Sequence, residues 1–231
     1  MEVRFDDVTV AFGELMALDR LTLEIPTGQF CAILGGSGAG KSSLLRCASG
    51  LGHLKTGRVT IDGTALSAAL RRQIGVIPQA FGLSGRARVA TNVMAAQASH
   101  GPLWRALTGR YRVADRERAT DLLAALGLEE GQLARRTDAL SGGQQQRIAI
   151  ARALLPAPRL ILADEPVASL DPATAERALT VLREEARRSG ATILCTLHQP
   201  ELARRFADLV ITIDRGTIVE TMPARDERKR A

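Results

Sequence analysis

Two stretches of this chain leave an unusual amount of backbone bare: GGSGAGKSS at residues 35–43 and LSGGQQQR at residues 140–147. Glycine at such places gives up more backbone freedom on folding than any other residue, so something should need the exposed amides. The first stretch reads Gly35-x4-Gly40-Lys41-Ser42, with Gly36, Ser37, Gly38 and Ala39 inside it and Ser43 after it. That spacing is a phosphate-binding loop, in which amides and a helix N-terminus face anionic oxygens. Lys41 can reach the β- and γ-phosphates of a nucleotide, and the Ser42 hydroxyl can ligate Mg²⁺. Such a loop needs a metal-holding acid at the end of another strand. RLILADEP (159–166) supplies Asp164, which would hold Mg²⁺ through water, and Glu165, placed to polarise an attacking water.

The flanking segments can position these groups. FCAILG (30–35) is a continuous apolar run ending in glycine, the pattern of a strand buried on both faces. From Lys41 the spacing of Leu44, Leu45 and Ala48 is helical until SGLG. VRFDDVTVAF, LTLEI and GRVTIDG (57–63) read as short strands. RATDLLAALGL and QRIAIARALL are helical in period and stop at Gly127 and Pro156. LILA (160–163) and TILCTL (192–197) are again buried strands, with a helix predicted over 173–188 between them. Strand, helix, strand implies a parallel sheet with right-handed crossovers. ITIDRGTIVE (211–220) reads as two strands around an Asp-Arg-Gly turn.

Composition narrows the classes. The 231 residues can bury one large domain, and 45% hydrophobic with 24% charged residues is ordinary globular usage. No apolar run approaches the ~18–20 residues of a membrane span. MEVRFDDVTV carries acids and no apolar core, so it does not read as a secretory signal, and a cytoplasmic setting is expected. Cys31, Cys47 and Cys195 lie in or beside apolar segments without metal-like spacing, which fits reduced, buried thiols. The net charge of +6 is spread along the chain and mixed with acids, as in REEARRSG (183–190). It reads as a solvated arginine-rich surface or a contact with an anionic membrane face. No groove-reading or base-stacking motif accompanies it, so no nucleic-acid partner is expected.

The order of these motifs resembles that of the ATP-binding-cassette (ABC) ATPases, over nearly the whole chain. The phosphate loop at 35–42 is followed by a glutamine loop, IPQ, with Gln79, and by the signature LSGGQ at 140–144. Then come the acidic strand end at 160–165, SLD at 169–171 and His198 after a strand. The resemblance implies an α/β P-loop NTPase core with a mostly parallel sheet and an N-terminal antiparallel β subdomain. A helical subdomain is expected at roughly 80–155, all within a single nucleotide-binding domain over residues 1–231. It also implies ATP and Mg²⁺ as cofactors and a homodimer arranged head to tail. Each ATP would lie between one protomer's phosphate loop and the other's Leu140, Ser141, Gly142, Gly143 and Gln144. Glu165, His198 and Gln79 would be catalytic, with Gln79 also meeting the metal. Ser169 and Asp171 would sit at the dimer interface, although Asp171 before Pro172 also suits a local helix cap. Phe12 matches the aromatic that stacks on adenine; a core position in its strand is the alternative.

No membrane span, second cassette or coiled-coil insertion accompanies the motifs, which points to a separate ATPase subunit of a transporter rather than a soluble switch. Two integral-membrane permease subunits and an external solute-binding protein would be its partners, at the cytoplasmic face of the bacterial inner membrane. LSGGQQQRIAIARAL, ILADEPVASLDP and TLHQ are most similar to the ATPase subunits of phosphonate importers, as is the segment GPLWRALTGRY (101–111). The stretch from Gly63 to Arg71 is shorter than that branch usually shows, and Pro78 replaces a bulkier residue before Gln79. Phosphite, another small solute, or export therefore stay open as alternatives.

Overall fold

The computed structural model describes residues 1–99 and 108–223. The segment predicted at 101–111 therefore falls largely outside the described residues. Ten strands are described: β1 (Val3–Phe12), β2 (Leu15–Ile25), β3 (Phe30–Leu34), β4 (Thr56–Ile61) and β5 (Thr64–Ala65), then β6 (Ile74–Ile77), β7 (Leu160–Asp164), β8 (Thr192–Thr196), β9 (Leu209–Asp214) and β10 (Thr217–Pro223). Among the described residues seven α-helices accompany them: α1 (Lys41–Ala48), α2 (Ala68–Arg71), α3 (Val89–Met94), α4 (Val113–Ala125), α5 (Gly142–Leu154), α6 (Pro172–Ser189) and α7 (Pro200–Phe206).

The strands form two sheets. A four-stranded antiparallel sheet has the order β2-β1-β4-β5. A six-stranded sheet has the order β10-β9-β3-β8-β7-β6, parallel throughout except for β10 at its edge. The apolar runs of β3, β7 and β8 are buried nearly end to end, as strands covered on both faces must be. One core lies between the sheets around Phe5, Leu18, Ile25, Ile33, Leu44 and Ile211. The other joins the opposite face of the large sheet to α3, α4, α5 and α6 through Leu123, Ile148, Ile150 and Leu179. Among the described residues, everything between β6 and β7 is helix, turn or loop apart from one isolated bridge, Arg88 to Arg136. No helix of the described residues is long and apolar enough to cross a membrane.

Two of the differences from the sequence reading bear on the site. β2 begins at Leu15 rather than Leu21, because Leu15 and Met16 pair with Phe12 and Ala11 across a tight hairpin despite their exposure. β6 carries no predicted strand; it is four residues long and interrupted by Gly75. A Cβ on Gly75 would sit 2.7 Å from the Ala153 carbonyl oxygen, so the glycine is what lets α5 lie against this strand. Helix α6 follows its signals closely: Asp171 caps it, Pro172 opens it, and Gly190 closes it at φ 67.

Candidate functional site

The strand order sets out the site. β3, β8, β7 and β6 are consecutive neighbours, about 4.8 Å apart, and their carboxyl ends emit the phosphate loop, His198, Glu165 and Gln79 in turn. Ligands in open parallel sheets gather at such ends.

The loop from Gly35 to Gly40 is held open by its backbone. Gly35, Gly38 and Gly40 have φ of 149, 76 and 107, values that disfavour any side chain. Gly35 lies directly against the Ile213 carbonyl and Gly40 against that of Ala17. A Cβ on Gly36 or Gly38 would meet nothing within 4 Å, so the rim with Ser37 faces open space. Ala39 is tucked underneath, its carbonyl accepting from the Gly216 amide at 3.0 Å. Lys41 is only 6% exposed and donates to the Gly35 and Gly36 carbonyls at 2.8 and 2.9 Å. An ammonium has three protons, so one remains for an anion in the loop. Helix α1 starts at Lys41 without a side-chain cap or an acidic residue in its first turn. The amides at Ser42 and Ser43 therefore present the positive end of the helix dipole.

Across the sheet, the Glu165 carboxylate is held from two sides. Gln79 Nε2 donates to its Oε2 at 3.0 Å, and His198 Nε2 lies 2.5 Å from its Oε1. Each carboxylate oxygen has a second lone pair, so the group can still accept a proton from water. Glu165 sits at φ 51, a left-handed backbone that costs a non-glycine residue about 1–3 kcal/mol. Thr196, fully buried at the end of β8, donates to Asp164 Oδ1 at 2.9 Å and accepts from the Glu165 amide at 2.8 Å. Sequence reading did not single out Thr196. The signal was a hydroxyl closing a buried strand, two positions before His198.

Ser42 and Asp164 are oxygen donors of the hard kind that Mg²⁺ takes. Among the described residues no group of three or more His, Cys, Asp or Glu could hold a metal. Thiol chemistry has no place here: burial pushes Cys47 up to about 11, and Cys31 and Cys195 higher still.

Phe12 is 54% exposed, which rules out the core alternative. It ends β1 opposite Leu15, and Gly40 of the phosphate loop abuts Ala17 two residues further along β2. A flat apolar face thus stands beside the phosphate loop.

The second glycine stretch is elsewhere: among the described residues no hydrogen bond joins 140–144 to 35–43. Ser141 caps α5 in a capping box, accepting from the Gln144 amide at 3.3 Å while its own amide donates to Gln144 Oε1 at 2.9 Å. The serine hydroxyl keeps its proton for an outside acceptor. Gly142 is exposed, with only Phe81 near its missing Cβ, whereas a Cβ on Gly143 would lie 3.2 Å from Leu170 and 3.4 Å from the Ser169 carbonyl. Leu140 is buried in the helical core. Ser169 is exposed beside the signature, and Asp171 accepts from the Thr174 amide at 3.1 Å as the cap of α6. Arg147, also missed from sequence, ties this end of α5 to the Leu126 and Gly127 carbonyls at 3.0 and 2.9 Å.

Comparisons with known proteins bear on the fold and the family. A sequence model of the ABC transporter family matches residues 18–168. The phosphonates import ATP-binding protein PhnC of Hyphomonas neptunium is 47% identical over 88% of this chain and 80% of its own length. That of Hydrogenovibrio crunogenus is 41% identical over 93% of this chain and 80% of its own. A dimeric ATP-binding cassette solved in a post-hydrolysis state with ADP and Pi superposes with a TM-score of 0.84 at 32% identity, covering 97% of this chain and 99% of that one. With a nucleotide cradle, a clamped carboxylate and a capped signature helix on this fold, the chain belongs to the ABC transporter family, as one of its ATP-binding domains.

Proposed function

We infer that this chain is the ATP-hydrolysing subunit of an ABC importer for phosphonates. The observation that carries hydrolysis is the Glu165 carboxylate, held between Gln79 and His198 beside a phosphate loop with an open rim. The PhnC relatives, at 41–47% identity, support the cargo. Residues 1–231 act as one nucleotide-binding unit with its helical part at roughly 80–155.

The chemistry divides among the residues as follows. Phe12 stacks on adenine. The amides of Gly35 through Ser43 and the Lys41 ammonium hold the phosphates. Ser42, with Gln79 and, through water, Asp164, would hold Mg²⁺, which would offset phosphate charge. Glu165 accepts a proton from water as the water oxygen bonds to the γ-phosphorus. The bond from that phosphorus to the bridging oxygen breaks, and its electrons stay with ADP. His198 orients the γ-phosphate and the water. Leu140 places the signature, and Ser141 with the Gly142, Gly143 and Gln144 amides donates to the γ-phosphate held by a second copy. Ser169 and Asp171 line that interface. Closure of the homodimer on two ATPs drives two integral-membrane permease subunits docked near Gln79, fed by an external solute-binding protein. The subunit sits on the cytoplasmic face of the inner membrane.

Glu165→Gln tests the base role. The variant should bind MgATP normally, lose turnover by about a thousandfold, and accumulate as a closed dimer. Near-normal hydrolysis by Glu165→Gln removes Glu165 from that role. For cargo, cells lacking the chain should fail to take up an alkylphosphonate while importing phosphate normally; unchanged uptake overturns the assignment.

A further inference from the structure

We propose that Thr196 is a positioning residue for hydrolysis, pinning Glu165 and Asp164 to one another through a single buried hydroxyl. The proposal rests on the reading of Glu165 as the base and deepens it. β7 and β8 are parallel neighbours in which Asp164 stands directly across from Thr196. Side chains paired in this way share a sheet face. The hydroxyl is fully buried, donates to Asp164 Oδ1 at 2.9 Å and accepts from the Glu165 amide at 2.8 Å. One oxygen thus ties the predicted metal-holding acid to the backbone of the predicted base.

The reason lies at Glu165. Its φ of 51 is a conformation that a glutamate leaves unless its surroundings fix it. The Glu165 amide donates to the Thr196 hydroxyl, and that bond holds the turn at the one residue where it is strained. The turn aims the carboxylate at Gln79 and His198, which arrive from the ends of two other strands. Without the Thr196 hydroxyl the amide and Asp164 Oδ1 both lose a buried partner. The backbone is then free to relax toward negative φ, swinging the carboxylate away from both. Threonine suits the task, because its branched Cβ fixes χ1 and so the direction of the hydroxyl. Valine has nearly the same shape and no hydroxyl; serine has the hydroxyl and no methyl.

The test compares Thr196→Val, Thr196→Ser and Glu165→Gln in the full-length protein. Thr196→Val should lower kcat by about tenfold to a hundredfold, the scale of a small misplacement at a reacting centre. KM for MgATP should move less than about threefold, since Lys41 and the loop amides are untouched. Thr196→Ser should restore kcat to within about threefold of the parent. Two further measurements do not depend on turnover. Binding of a fluorescent ATP analogue should be unchanged in EDTA but gain less from added Mg²⁺ in Thr196→Val than in the parent. A crystal structure of Thr196→Val should show Glu165 at negative φ. Equal kcat for the valine variant and the parent overturns the proposal, as does a valine structure with Glu165 unmoved. Equal loss in both threonine variants, with affinity falling alike in EDTA and Mg²⁺, marks a merely structural threonine and also overturns it. Should Glu165→Gln hydrolyse ATP at the parent rate, the base assignment fails. The Mg²⁺ dependence and the Glu165 φ then still decide for or against Thr196.

Discussion

The two glycine stretches look alike in sequence and differ in what makes them glycine. In the phosphate loop the cause is internal: Gly35 and Gly40 combine left-handed φ with backbone oxygens where a Cβ would stand. Any other residue is excluded before a ligand arrives. At the start of α5 the backbone is ordinary helix. Gly143 is crowded by Leu170 and Ser169, but Gly142 borders only the Phe81 ring, at a distance an added methyl would tolerate. Nothing in its own chain requires Gly142 to be bare. Gly35 and Gly40 are thus accounted for by their own chain, while Gly142 is not.

Substitutions can sharpen or break that contrast. The largest effect belongs to Ser141→Arg, which blocks the outer face of the signature. Turnover should fall by about a thousandfold while one-site nucleotide binding survives. Loss of the cap should lower Tm by only about 2–4 °C. A monomer of the parent protein hydrolysing ATP at full rate would break the contrast outright. Next is Gly40→Ala, whose damage should appear in folding. A strained φ and contact with the Ala17 carbonyl should together cost roughly 2–3 kcal/mol, a Tm drop of about 6–9 °C. A calorimetric scan of the variant without nucleotide is sufficient. Gly142→Ala is the mirror case: helix propensity should hold or raise Tm, yet turnover should fall about tenfold if a second copy's phosphate approaches there. Parent-rate hydrolysis by that variant would show that the bare surface has no outside user.

The smallest effect separates the two helix caps. The Thr174 side chain and nearby amides hold the Asp171 carboxyl below its usual range. With the folded pKa below the unfolded one, this stabilisation is present above the ordinary carboxylate range and fades as pH falls through the folded value. Asp171→Asn should therefore reduce the acid-side loss of Tm slightly, whereas Ser141, which does not titrate, should leave it unchanged. A pH series of melting scans reads the difference.

The sequence made legible whatever acts through backbone or strand ends. The loop, Lys41, Asp164, Glu165 and the buried runs of β3, β7 and β8 carry their own periodicity or spacing. What it hid depends on partners far along the chain. β6 is too short and too broken by Gly75 to show alternation, and its place is set by Ala153 and Pro158 packing on that glycine. Thr196 reads as one more strand residue until β7 is laid beside it. The crowding of Gly143 by Leu170 and the double carbonyl grip of Arg147 are likewise invisible, because both span separate elements. Asp171 was legible as a cap from Pro172 alone.

Arg152, near the far end of α5, donates to the Phe81 carbonyl at 3.0 Å and also to that of Gly82, while the Phe81 ring borders Gly142 at the near end. The strand of chain leaving Gln79 is thereby riveted alongside a 13-residue rod about 20 Å long. A rod splinted at both ends slides or tilts as one piece. Any displacement of the stretch after Gln79 therefore has to carry α5 along or break the Arg152 hydrogen bonds.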